Sequence, residues 1–199
     1  MERTPEQIVA SLEKPGAGIP WHHRLFNHAL VAPLVARNAS WAWSRRRFIE
    51  TSAAVVEVAS GLSEEALKTR VLVPRLLGLE DSSRYWSIAM TARHLNVVGS
   101  LMAQVIVRLS HGETIAARVD FAAVKPELER NATESIAEYL AFVQTVPEML
   151  DTKGGNRSSP ATMPHPWFGA LNAKGWYWLL GTHTRVHLRQ AREIRQRLD

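Results

Sequence analysis

The sequence predicts an all-α protein: a four-helix bundle with an N-terminal helical extension. Four long segments carry apolar residues at spacings of three and four, which is the period of an amphipathic helix. No strand–helix–strand alternation with a glycine-rich phosphate loop accompanies them, so a nucleotide-binding α/β fold has little support. The 199 residues, 46% of them hydrophobic, suffice for one domain with a sizeable core.

Residues 1–40 are rich in proline and histidine, and we expect them to form an extension that packs on a bundle of residues 41–199. A short helix is predicted near residues 5–13. The proline- and glycine-rich segment 15–20 predicts a turn, because these residues interrupt regular structure. A second short helix is expected over residues 22–36.

The first bundle helix is predicted over about residues 43–61, where apolar residues recur at helical spacing and Gly61 is a plausible end. Beyond it, β-forming residues leave open short strands around residues 70–77 and 116–121.

The second bundle helix is predicted over about residues 84–110, with Ser82 or Ser83 as its N-cap. Trp86 and His94 fall on its apolar stripe, so both side chains are expected to point inward. A histidine within an apolar stripe requires a partner.

A capping arrangement at residues 131–134 predicts the start of the third helix, and Pro147 is expected to end or kink it. The fourth helix is predicted over about residues 173–198. His183 and His187 lie on its inward side.

The three inward histidines are the candidate metal ligands. Residues four apart share one face of a helix, so His183 and His187 can present two imidazoles to one point. His94 is expected to face them, and a buried imidazole without a partner would cost a few kcal/mol. Hydrogen-bonded core histidines are the alternative. Three neutral imidazoles would bind a divalent ion with a coordination position left open, and Zn, Ni, Fe and Mn all remain open as its identity.

Composition narrows the remaining classes of function. The chain contains no cysteine, which excludes disulfides, thiolate ligands and a cysteine nucleophile. It shows no secretory signal and no apolar stretch long enough to cross a membrane, so we expect a cytoplasmic protein without a membrane partner. The net charge is +5, but Arg45-Arg46-Arg47 is the only basic run. Binding of nucleic acid is therefore not expected.

Several of these motifs together resemble the DinB/YfiT-like metalloenzymes, over roughly residues 43–198. The motifs are Trp86, the pair His94-Leu95, the segment His183-x3-His187 followed by Gln190, and the loop His165-Pro-Trp-Phe-Gly169. The resemblance implies a four-helix bundle with a three-histidine metal site. It further implies a small-molecule substrate and activation of water or of a low-molecular-weight thiol such as mycothiol or bacillithiol, as in a hydrolase or a thiol-dependent transferase.

One branch of that family, related to ergothioneine-synthesising sulfoxide synthases, has a glutamate where this chain has Arg189. Those enzymes also need a second catalytic domain, so that activity is not expected here. The alternative function is a non-catalytic bundle that binds a small ligand or forms a homodimer.

The sequence does not decide the roles of several further residues. Asn96 and Gln190 are candidates to orient the ligand imidazoles. Arg93 and Arg185 either meet an anionic substrate or are solvated. The candidates for an added ligand or a general base are His22, His23, His28 and His165. Trp21 and Trp167 are candidates to line a pocket.

Overall fold

The computed structural model describes residues 4–18, 20–117, 124–126 and 131–198. Its helices, in chain order, are α1 (Pro5–Ala10), α2 (Trp21–Phe26), a π-helix (Asn27–Ala36), α3 (Trp41–Ala59), α4 (Glu64–Lys68), α5 (Ile88–Ser110), α6 (Ala132–Lys153) and α7 (Ala173–Arg195). A 3-10 turn occupies Asp81–Ser83. Two antiparallel strand pairs join β1 (Val71–Leu72) to β2 (Tyr85–Trp86) and β3 (Met163–His165) to β4 (Gly169–Leu171).

The four long helices form the predicted bundle. Helices α3 and α5 each pack against both α6 and α7. Their shared core contains Phe48, Leu95, Phe142 and Leu180, all of which are buried. The prediction of an all-α four-helix bundle is therefore confirmed, and none of the described helices is long and apolar enough to cross a membrane.

Each bundle helix begins after a polar N-cap whose side-chain oxygen accepts a hydrogen bond from a backbone N–H of the first turn. These caps are Ser40, Ser87, Asn131 and Asn172. Such caps satisfy donors that have no partner within the helix. The start of α6 at a capping arrangement was predicted.

The predicted start of the second bundle helix is wrong by four residues. Ser87, and neither Ser82 nor Ser83, caps this helix, because those two serines belong to the 3-10 turn. Trp86 precedes the helix in β2, where it pairs with Val71. The tryptophan is nevertheless buried, so the expectation of an inward side chain holds although the element that carries it differs.

Pro147 does not end its helix, since α6 continues to Lys153. Val146, Pro147 and Leu150 are all buried against the core. Their packing holds the second half of α6 in place although a proline removes one helical hydrogen bond.

The N-terminal segment contacts the bundle through the π-helix. Ala32 and Ala36 are buried in the main core, and the Arg37 guanidinium donates two hydrogen bonds, of 2.9 and 2.8 Å, to the carbonyl of Ala170 in β4. The helix predicted over residues 22–36 is thus split into α2 and a π-helix. Pro33 lies inside the latter, and its missing N–H and bulky ring disfavour a regular α-helix there.

The short strands are the elements that the periodicity of the sequence predicted least well. The alternative of a strand around residues 70–77 is realised as β1. Most of the alternative at 116–121, namely residues 118–121, lies outside the described residues. The β3–β4 pair was not predicted. It lies directly before α7 and positions His165.

Candidate metal centre

Helices α5 and α7 bring the three predicted ligands together. His94 comes from α5, and His183 and His187 lie one turn apart on α7. One ring nitrogen of each residue lies within 4.8 Å of the other two. The ring centroids are 4.6 Å apart for His183 and His187, 4.7 Å for His94 and His187, and 5.1 Å for His94 and His183.

These distances suit a shared metal ion. The Nε2 atoms of His94 and His183 are 3.2 Å apart, while two nitrogens bound to one tetrahedral zinc ion at 2.0–2.1 Å lie about 3.3 Å apart. Imidazoles arranged around such an ion have ring centroids about 5 Å apart, which agrees with all three centroid distances. The donor set therefore fits a divalent ion that accepts nitrogen ligands.

Two of the imidazoles are held with Nε2 unprotonated, which is the form that binds a cation. Nδ1 of His94 lies 3.0 Å from the carbonyl oxygen of Val124. A carbonyl only accepts, so Nδ1 carries the proton and donates it. Nδ1 of His187 likewise donates to Oε1 of Gln190 at 2.7 Å, and the amide of Gln190 is oriented by its own 2.7 Å donation to the carbonyl of Ser83. Such outer partners fix the tautomer and ring orientation of metal-binding histidines.

His183 is held differently. Its Nδ1 is buried and has no hydrogen-bond partner within the described parts of the chain. Its Nε2 faces Nε2 of His94, which has no proton to donate. His183 therefore either donates to His94 or shares a cation with it, and the second arrangement agrees with the position of His187.

The cluster holds its histidines neutral. Burial lowers the pKa of His94 to about 4. Burial and the neighbouring His94 lower the pKa of His187 to about 3. The pKa of His183 falls well below its ordinary value, because of burial and of the charge that His187 and His94 would carry. Neutral imidazole is the form that binds metals, so the ligands are ready at neutral pH.

A cavity of about 920 Å³ opens beside the cluster and is lined by all three histidines. This volume lies in the range of small-molecule sites. Trp86 lines it and stacks on His187, with ring centroids 5.7 Å apart and planes 4° apart. Ligand atoms in the cavity can therefore approach all three histidines.

A family model described as the DinB superfamily matches residues 47–191, which include all three histidines. The chain belongs to the DinB superfamily. No curated protein matches this chain. Among solved structures, TT2238, described as a four-helix bundle protein, is 23% identical with a TM-score of 0.49, covering 77% of this chain and 98% of that chain. The match to the family model confirms the family resemblance drawn from the sequence motifs.

The other histidines of this DinB-superfamily chain occupy different places. His165 is buried and lines the cavity, and its Nδ1 accepts a 3.1 Å hydrogen bond from the backbone N–H of Trp167. His23, on α2, also lines the cavity. His22 is exposed, and Nε2 of His28 lies 3.3 Å from the carbonyl of Pro166 in the β3–β4 turn.

Two polar residues considered for the site are directed elsewhere. Asn96 donates to Glu138 over 3.5 Å, and Arg93 forms an ion pair of 2.9 Å with the same carboxylate. Glu138 lies on α6, so both side chains link α5 to α6. The expected role of Asn96 in orienting an imidazole is wrong. Of the two pocket tryptophans considered, Trp167 lines the cavity, whereas Trp21 is 69% exposed and is not among its described lining residues.

Sequence reasoning missed the two backbone carbonyls that orient the site. The carbonyl of Val124 binds His94, and that of Ser83 binds Gln190. A carbonyl is present at every residue, so no residue type could have identified either one. Gln190 itself was found, because its position three residues after His187 places it on the adjacent turn of the helix.

The neutral histidines predict a strong acid sensitivity of the metal-free DinB-superfamily protein. His94, His183, His187 and His165 have lowered pKa values when folded, and the last is lowered to about 4 by burial and by His28. The unfolded chain therefore binds protons near pH 6.5 that the folded chain does not. We expect the free energy of unfolding to level off above about pH 8 and to fall increasingly from pH 7 towards pH 4, at a slope reaching roughly 5 kcal/mol per pH unit near pH 5.

Urea unfolding of chelated protein at a series of pH values would measure this slope. The His165→Gln variant lacks one buried histidine, so its slope should be smaller by the contribution of about one proton. The exposed histidine, His22→Gln, should leave the slope unchanged. A free energy that does not vary between pH 7 and pH 5 would contradict the burial of neutral imidazoles.

Proposed function

We propose that the protein is a metal-dependent enzyme whose divalent ion is held by His94, His183 and His187. The observation that carries the proposal is the convergence of three neutral imidazoles at one wall of a ligand-sized cavity. A purely structural site would be closed by further protein ligands. Here the cavity side is open to a small molecule.

The residues around the ligands perform defined tasks in this proposal. Val124 and Gln190 accept the Nδ1 protons of His94 and His187, and so direct the Nε2 lone pairs of these two imidazoles at the ion. A bound divalent ion supplies Lewis-acid chemistry, which lowers the pKa of water or of a thiol and makes a nucleophile near neutral pH. The walls of the cavity exclude bulk water and hold the substrate.

The reaction is proposed as either hydrolysis, with water as the nucleophile, or thiol-dependent transfer, with a small-molecule thiol as the nucleophile. Without cysteine, the protein itself supplies no thiol, so that a thiol nucleophile would have to come from a cosubstrate. Both reactions use the same ligand set and the same open side. The choice between them depends on which nucleophile the cavity admits.

Metal analysis of protein purified without a histidine tag tests the proposal. Wild type should contain about one divalent ion per chain, and His183→Ala should contain little. His22→Ala, which removes an exposed histidine away from the cluster, serves as the matched control and should retain the ion. Equal metal content in wild type and His183→Ala would remove the site.

A bundle that binds a small ligand without metal is the competing function. It predicts that a chelator changes neither thermal stability nor ligand binding. The proposed enzyme predicts a lower melting temperature after chelation, because an ion that binds only the folded chain stabilises it. The His183→Ala variant should not respond to the chelator.

A further inference from the structure

The solvent-exposed part of the cavity lining carries mostly positive charge. Among its described lining residues, Arg108, Lys125, Arg185 and Arg189 are exposed, which places them where the cavity meets solvent. Glu80 is the one carboxylate among those same lining residues. Four cationic groups against one carboxylate along the described lining favour a ligand with negative charge.

The single carboxylate does not neutralise these cationic groups. Glu80 is buried, with 9% of its surface exposed. One of its oxygens accepts from the backbone N–H of Gly16 at 2.9 Å and the other from the hydroxyl of Ser82 at 3.0 Å. The first hydrogen bond anchors the N-terminal segment, and the second is local, to the 3-10 turn that follows Glu80. Burial lowers the pKa of Lys125, and the negative charge of Glu80 opposes part of that shift.

The arginines differ in how far they are already engaged. Arg108 forms a two-point ion pair with Glu113. Within the described parts of the chain, Arg189 donates one long hydrogen bond, of 3.5 Å, to the carbonyl of Leu77. Arg185 has no hydrogen bond or ion pair with any described residue, so its five N–H donors are free to bind an anion.

The interior of the cavity is apolar and aromatic. Its walls include Trp86, Met102, Phe168, Trp176, Trp178 and Leu179. A hydroxyl-rich ligand would lose hydrogen bonds to water against these walls without gaining replacements. An apolar body, above all a flat aromatic one, would gain contact with several rings.

We propose that the cavity binds an amphiphilic organic anion. Its aromatic or other apolar body lies between the walls, and its carboxylate, sulfonate or phosphate binds Arg185 at the opening. As a substrate class, this inference rests on the proposed metal-dependent activity. The binding itself depends on the walls and the arginine, which are present with or without an ion.

Calorimetric titration of the full chain with three probes tests the inference. The probes are 2-naphthylacetate, which has both features, 2-naphthylethanol, which keeps the body without the charge, and acetate, which keeps the charge without the body. We expect 2-naphthylacetate to bind at least fivefold more tightly than the alcohol, and acetate to show no measurable binding. The order should be the same before and after chelation.

Two pairs of variants locate the binding site. Arg185→Gln should weaken binding of 2-naphthylacetate about fivefold and leave the alcohol unchanged, whereas Arg192→Gln, on an exposed part of α7 away from the cavity, should change neither. Leu101→Glu places a negative charge on the cavity lining and should weaken the acid selectively. Leu140→Glu, at a similarly exposed leucine of α6, is its control.

The outcomes separate this inference from the proposed function. Equal affinity for acid and alcohol would overturn it, as would acid binding that is unaffected by both Arg185→Gln and Leu101→Glu. Equal metal content in wild type and His183→Ala would instead overturn the metal-dependent activity. A preference for the acid in chelated protein would then still show an anion site.

Discussion

Replacing Gln190 by leucine is expected to weaken metal binding by about 10- to 100-fold, the usual effect of removing the partner of a ligand imidazole. Gln190 is fully buried, accepts the Nδ1 proton of His187 and donates to the carbonyl of Ser83. Leucine has a similar size but neither function. The variant leaves two buried polar groups without partners, which should lower the free energy of unfolding by about 2 to 4 kcal/mol.

Metal affinity from competition with a chromophoric chelator, together with urea unfolding of the metal-free protein, would measure both effects. Gln144→Leu makes the same change at an exposed position of α6 and should alter neither quantity. Gln190→Glu separates the two roles. It keeps an acceptor for His187 but removes the donor to Ser83, so metal affinity should be largely retained while stability falls. Metal affinity of Gln190→Leu equal to that of Gln144→Leu would contradict the orienting role.

The long helices and the candidate ligands were predictable because both follow from helical period. An apolar stripe fixes which face of a helix is buried, so the inward positions of His94, His183 and His187 could be derived before their distances were known. Three imidazoles that point into one core are expected to lie near one another. Their proximity follows once α5 and α7 pack together.

The boundaries of the second bundle helix could not be derived in the same way. Three serines precede this helix within six residues, and each is an acceptable N-cap by residue type. The pairing of Val71 with Trp86 draws Trp86 into a strand, which leaves Ser87 as the cap. A contact between residues fifteen positions apart therefore decided a choice that local sequence left open.

The cavity could not be predicted from the sequence, for a related reason. Its walls come from the N-terminal helices, α5, the β3–β4 pair and α7, and no single segment shows a pattern that marks it. Gly169 begins β4 directly after the turn, and its φ of +68° favours glycine. The glycine at this place in the sequence is the local signal that could have indicated the strand pair. That pair is what brings His165 to the cavity.

The close approach of α5 to α6 at Gly99 gives the second large expected effect. A Cβ at this position would lie 2.4 Å from Cζ and 2.8 Å from Cε1 of Phe142, a distance that real side chains do not reach. We expect Gly99→Ala to lower the free energy of unfolding by about 2 kcal/mol, as overpacking of a core does. Gly181→Ala, at a helical glycine with ordinary contacts of 3.4 Å to Arg47 and Phe48, should instead be neutral or stabilise by up to about 1 kcal/mol.

A compensating change shows whether the overlap with Phe142 is the cause. Phe142→Leu removes the ring atoms that the new methyl group would meet, at a cost by itself of about 1 to 2 kcal/mol. In the double variant, Gly99→Ala should cost nothing further, which urea unfolding of the four proteins of the cycle would measure. Because α5 also carries His94, the shift of α5 that relieves the overlap should weaken metal binding in Gly99→Ala, and Phe142→Leu should restore it. Additive losses would instead mean that the spacing of α5 and α6 is not set at this contact.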